Sequence, residues 1–399
     1  MSYTLKELNY WNEKIESKVG EYGLNCYPQE FDIIDYNDML SYQVYLGMSS
    51  MYPHWSFGKS YDKLKTLYKY NLVGLPYEMV VNSNPCTAYL LKENSLLMQI
   101  LTMAHVYGHN DFFKNNRVFK ENTEAELTLE KFKIHSDRIR KYVNEVGYEE
   151  VEKLLDRIHS IKLNIDLLKF LKENGQLLTW EKEIIGIIIE ESSYFIPQLE
   201  TKIMNEGWAS FWHYRILNEL EIPQGMYVEF LTRHNAVIAP SKEKINPYYL
   251  GFKIFVDLEK RYGMERIFEV RAVERDESFI RRYLTEELCE DMKLFQYRTD
   301  DKNFIIEEVW FEDGCKAIKD TLCKNLGLNS IPCIKVKGER NGKLILEHVY
   351  DGRELELNYA GETLKNLVYM WKEKITLKTQ LNGKAIEVIC SKEGEISYV

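Results

Sequence analysis

Residues 96–111 read Leu-Leu-Met-Gln-Ile-Leu-Thr-Met-Ala-His-Val-Tyr-Gly-His-Asn-Asp, an apolar stretch that carries two histidines four positions apart. Helical periodicity puts His105 and His109 on one face, where both imidazoles can reach a single ion. The run closes on Asn110 and Asp111, polar groups beside which a pocket can open. A second unusual segment, Glu206-Gly207-Trp208-Ala209-Ser210-Phe211-Trp212-His213, sets a glutamate among large rings and small residues. A carboxylate in such surroundings is poorly solvated unless it meets a cation. His105, His109 and Glu206 therefore form a candidate divalent-metal site with three protein ligands and an open position. A fold that satisfies it has to bring a helix around residue 105 against one around residue 206.

Imidazole with carboxylate suits zinc first, and the same donors accept iron or manganese. If the metal acts as a Lewis acid that polarises a carbonyl and activates water, a base must take the proton. The residue after the first histidine is Val106, which cannot. Glu190, Glu191, Glu200, Glu30 and Asp111 are the available carboxylates, and Glu191 is the favoured one. His213 lies two helical turns beyond Glu206 on roughly the same face, so it can ligate, orient a ligand, or steady an oxyanion; His234 can share the last role. Aromatic loops hold His54, Lys59 and Asn84, whose directional donors and acceptors fit an anionic or peptide-like substrate.

The chain has 399 residues, 45% of them hydrophobic, enough for more than one folded domain. Its formal net charge of −10 opposes nucleic acid as the principal partner. The first residues lack the apolar core of a signal peptide, so a cytoplasmic location is expected. The run Ile184–Ile189 is too short to cross a bilayer. Seven scattered cysteines with no Cys-x-x-Cys pair read as reduced thiols.

Helical patterns cover 1–26, 88–113, 132–147, 149–173, 179–196 and 201–220, with a further helix from Asn246-Pro247 to about Tyr262 and two more before 297. Between Cys26 and Asn84, aromatics mixed with Pro and Gly predict short helices and ordered loops. Pro197 is expected to bend its helix or restart it. Beyond about 303 the texture turns to β-rich alternation, over 304–311, 331–336, 344–349, 375–380 and 385–390, with helices at 315–326 and 362–371. Asn341-Gly342 and Asn382-Gly383 signal hairpins. The expected architecture is mainly α: a large helical domain over 1–300 with a two-helix metal site, then a smaller α+β domain over 301–399.

Six segments carry a resemblance: Tyr-Pro-Gln-Glu-Phe (27–31), Tyr-Pro-His-Trp-Ser-Phe-Gly-Lys (52–59), Val-Asn-Ser-Asn-Pro-Cys (81–86), His-Val-Tyr-Gly-His-Asn-Asp-Phe-Phe (105–113), Thr-Lys-Ile-Met-Asn-Glu-Gly-Trp-Ala-Ser (201–210) and Asn-Pro-Tyr-Tyr-Leu-Gly-Phe (246–252). They closely resemble the stage V sporulation protein R family, over nearly the whole chain. The resemblance implies a cytosolic bacterial protein used in building the spore cortex, a peptidoglycan layer. It also implies a serine protein kinase and a von Willebrand A-like protein as associates outside spore formers. A more distant likeness is to zinc metallopeptidases that join a His-Glu helix to a downstream Glu-Gly-Trp-Ala helix, in which His105, His109 and Glu206 would be the ligands and Val106 departs from the pattern. Two functions follow as expectations. One is a metal-dependent hydrolase acting on an amide of peptidoglycan or its precursors; the other is a regulatory or scaffold protein of a sporulation or stress complex with a structural or vestigial metal.

Overall fold

The computed structural model describes residues 3–48, 50–70, 77–240, 245–294, 296–300, 303–307 and 312–399. In chain order the first elements are α1 (Leu5–Glu21), β1 (Gln29–Ile34), α2 (Tyr36–Val44), α3 (Trp55–Lys69), β2 (Glu78–Val81), β3 (Cys86–Leu91), α4 (Leu96–Asn115) and α5 (Arg117–Asn122). Next come α6 (Thr128–Val146), α7 (Tyr148–His159), α8 (Ile165–Asn174), α9 (Thr179–Glu200), α10 (Lys202–Glu219), α11 (Gln224–Val237), α12 (Pro247–Tyr262), α13 (Met264–Val273), α14 (Asp276–Tyr283) and α15 (Glu286–Asp291). The remainder comprises β4 (Gln296–Asp300), β5 (Asn303–Glu307), α16 (Glu312–Lys324), β6 (Ile334–Arg340), β7 (Lys343–His348), α17 (Leu357–Trp371), β8 (Ile375–Leu381), β9 (Lys384–Cys390) and β10 (Ile396–Tyr398). The chain is thus mainly helical, with an α+β C-terminal part.

Contacts divide it into two compact units that interleave in sequence. The first comprises 1–49, 57–131 and 197–327; the second comprises 50–56, 132–196 and 328–399. Packing rather than sequence order draws this division: in the second unit α7 and α8 pack on α17, and α8 also meets β6.

In the first unit α4 is the central rod, with every residue from Leu97 to Phe113 buried. A helix apolar on all sides belongs inside, and this one starts cleanly because the Ser95 side chain accepts from the Met98 N–H at 3.2 Å. Beside it lies a three-stranded sheet ordered β1-β3-β2, β1 parallel and β2 antiparallel to β3. Two expectations fail here. Ala88–Leu91 is strand rather than helix, because a short continuous apolar run has no periodicity to tell the two apart. The stretch 26–84 also contributes two strands, which Pro and Gly punctuation concealed.

The second unit carries a five-stranded sheet ordered β10-β9-β8-β7-β6, in which only β7 and β8 run parallel, joined by α17 as the crossover. The other expected strand pairs form as hairpins. Asn341 and Gly342 have φ of 53° and 77°, and Asn382 and Gly383 have 50° and 71°, the left-handed pair that a two-residue hairpin turn requires. The expected strand over 304–311 is found as β5 up to Glu307; 308–311 lie outside the described residues. The helix expected over 149–173 is broken at 160–164, where Asn164 caps α8 by accepting from the Leu167 N–H. α9 continues through Pro197 to Glu200, and the break falls at Thr201.

Candidate metal centre

α4 and α10 cross at unusually short range, and small residues permit it. A Cβ on Gly108 would stand 2.6 Å from the Ala209 Cα, and one on Gly207 would stand 2.4 Å from the backbone of Gly251 on α12. Gly207 and Ala209 therefore serve packing: they let α10 sit between α4 and α12. The same contact carries Glu206 to the histidines of α4. The start of α10 is capped from a distance, since Asp276 of α14 accepts from the Ile203 and Met204 N–H groups at 2.8 and 2.9 Å. Asp111 ties the far end of α4 in place: its carboxylate accepts from Trp208 Nε1 at 2.9 Å and the Asn25 N–H at 2.8 Å, and pairs with Arg271 at 3.2 Å. Burial pushes Asp111 up to about 6 against the pull of Arg271. Its oxygens are committed to structure, which removes it from the candidate bases.

His105, His109 and Glu206 converge, with one donor atom from each lying within 4.8 Å of the others. Glu206 Oε2 is 3.6 Å from His109 Nε2 and 3.9 Å from His105 Nε2. The opposite ring nitrogens are occupied. His109 Nδ1 faces Asn205 Oδ1 at 2.8 Å, and because that oxygen only accepts, Nδ1 carries the proton and Nε2 presents a lone pair. His105 Nδ1 meets His213 Nδ1 at 2.8 Å, and His213 Nε2 meets His234 Nδ1 at 2.8 Å. Donation from His105 through His213 to His234 satisfies both contacts and leaves His105 Nε2 unprotonated, the tautomer a metal would select; the reverse order satisfies them with the proton on His105 Nε2. Burial, aided by the neighbouring rings, holds His105 and His213 well below the usual imidazole range, and burial alone brings His234 to about 4. Glu206 Oε2 is buried without a hydrogen-bond partner. In the first order two lone pairs and an orphaned carboxylate oxygen face one another, a repulsion that a cation between them would relieve, so the donor set fits a divalent metal.

A fourth group was not apparent in the sequence. Glu78, the first residue of β2, places Oε1 4.0 Å from His105 Nε2, and burial together with the Glu206 charge pushes it up to about 8. Tyr248, near the start of α12, has its hydroxyl held well above the usual phenol range by the Glu206 charge and by burial, and its ring stacks on His105 at 6.0 Å. The only sequence signal for Glu78 is a lone acid opening the β-branched run Glu-Met-Val-Val.

The other expected residues are placed as follows. His213 and His234 belong to this unit, with both nitrogens of His213 taken up by its neighbours, which suits a positioning residue. Glu191 lies in the second unit, 3.4 Å from His135 Nδ1, where burial raises it. His54 is in that unit too, its Nδ1 2.7 Å from Ser56 Oγ and its Nε2 3.3 Å from Asp156. Asn84 donates to Glu126 at 3.3 Å, and Lys59 is exposed on α3. Val106 is fully buried.

A mainly helical chain with a buried His-His-Glu cluster on two crossing helices defines a class of candidate metalloproteins. Family comparison is more specific: residues 2–166 and 163–331 match the description "SpoVR like protein", and 330–382 match "SpoVR-like C-terminal domain". The chain belongs to the SpoVR family. A relative in Escherichia coli (strain K12), the uncharacterized protein YcgB, is 31% identical over 488 aligned positions covering 97% of this chain and 94% of that protein. No solved structure matches the chain significantly. Among the described residues, no helix is long and apolar enough to cross a membrane.

Proposed function

We propose that the chain is a metal-dependent hydrolase of an amide bond, with zinc held by His105, His109 and Glu206 and with Glu78 as the base that Val106 cannot be. The observation that carries this reading is the placement of the Glu78 carboxyl, 4.0 Å from His105 Nε2 and beside the three candidate ligands. Bound at the cluster, a divalent cation supplies positive charge that polarises a carbonyl and favours the ionised form of nearby carboxyls. Glu78 is then placed to take a proton from attacking water and return it to the departing amine. His213 and His234 fix the orientation of His105. The target we propose is an amide of peptidoglycan or its precursors, and family membership supports spore cortex formation as the biological setting. It likewise supports a serine protein kinase and a von Willebrand A-like protein as partners, and the cytoplasm as the compartment.

The test uses purified muropeptides and the zinc-loaded full chain, with released amines read by mass spectrometry. Glu78→Gln is expected to lower turnover by about 10²–10⁴-fold at unchanged metal content, the usual yield of a positioned base. Turnover equal to the unaltered chain removes Glu78 from the mechanism. Val106 favours a second reading, a regulatory or scaffold protein with a structural metal. Intact muropeptides together with normal cortex from His109→Ala would establish it.

A further inference from the structure

We infer that the substrate is an extended peptide that adds to β2 as a fourth strand, so that its backbone runs past Glu78 and the metal ligands. The inference rests on the proposed metal site for its anchor and on sheet geometry for its direction. β2 is the rim of the sheet β1-β3-β2. Its register on β3 pairs Glu78 with Leu90, Met79 with Tyr89, Val80 with Ala88 and Val81 with Thr87. The Leu91 N–H donates to the Tyr77 carbonyl at 3.2 Å, which makes Tyr77 and Leu91 a hydrogen-bonded pair. Antiparallel pairs alternate, so Met79 and Val81 also turn their N–H and C=O toward β3, whereas those of Glu78 and Val80 turn outward to the rim.

Both faces of β2 are engaged. Met79 and Val81 lie against Gly47, and on the opposite face Val80 packs on the core while Glu78 reaches His105. The rim is the remaining direction, and among the described residues no strand follows there. A peptide in that position receives backbone hydrogen bonds from Glu78 and Val80 and lies about one strand spacing, ~4.8 Å, from the residue that carries the base. Recognition of this kind reads main chain, so it selects extended peptides of several residues over single amino-acid amides.

Two probes separate this inference from the metal reading. Acetohydroxamate reports the cation alone, and acetyl-trialanyl hydroxamate adds a backbone arm with minimal side chains. On the zinc-loaded chain the peptide probe is expected to bind about tenfold tighter or more, as two added backbone hydrogen bonds give. That gain should vanish when the amide nitrogens of the arm are methylated. Val80→Pro should also abolish it, because the N–H it removes points away from β3, and metal content in the same sample checks that the site is intact. Equal binding of methylated and unmethylated arms, or a full gain in Val80→Pro, overturns the inference. Failure of acetohydroxamate to bind overturns the metal reading, and the inference falls with it.

Discussion

His213 shows what a buried side chain can do without touching a reactant. Its ring is fully buried between His105 and His234, and it fixes which nitrogen of His105 faces Glu206. His213→Ala is therefore expected to weaken zinc affinity by about 10–100-fold, measured by competition with a chelating dye, while secondary structure is retained. Unchanged affinity would mean that the imidazole chain orients nothing. At this scale the three candidate ligands were legible because both cues are local: a four-residue spacing on an apolar helix, and a glutamate among rings. Glu78 was not, since a four-residue strand gives no periodicity and its approach to His105 depends on how β2 pairs with β3. Glu191 belongs to the other unit.

Elements meet at the site through glycine. Gly207 lies between Glu206 and Trp208, and any side chain there must push α10 off α12. Gly207→Ala is expected to cost about 1–3 kcal/mol of stability in denaturant unfolding, the usual penalty of overpacking, and to lower metal content as Glu206 shifts. Asp276 acts on the same helix from its end. Asp276→Ala leaves the Ile203 and Met204 N–H groups without an acceptor and should cost about 0.5–2 kcal/mol. Asp276→Ala should not matter if α10 is held only by its apolar contacts, and unchanged stability of Gly207→Ala would mean that α10 and α12 are not in close contact there. The long helices were readable from periodicity, and the α12 start from Asn246-Pro247, whose side chain does cap it by accepting from the Tyr248 N–H at 3.0 Å. The sheet beside α4 was hidden, because β3 is buried along its whole length and so alternates in nothing.

Over the whole molecule, sequence order and spatial grouping part company. The two Asn-Gly turns announced their hairpins, since φ above zero at both positions is a local demand. The recruitment of 132–196 to the unit containing the C-terminal sheet had no such signal, because it arises from packing between segments distant in the chain. The first unit holds every proposed ligand, the base and the imidazole chain, so the account makes it a metalloprotein core. Metal analysis of tag-free protein, loaded with zinc and dialysed, tests that claim most directly. One zinc per chain is expected, falling to near zero in His105→Ala, His109→Ala and Glu206→Ala alike. Equal zinc in all four proteins, or none in the unaltered chain, would contradict the account.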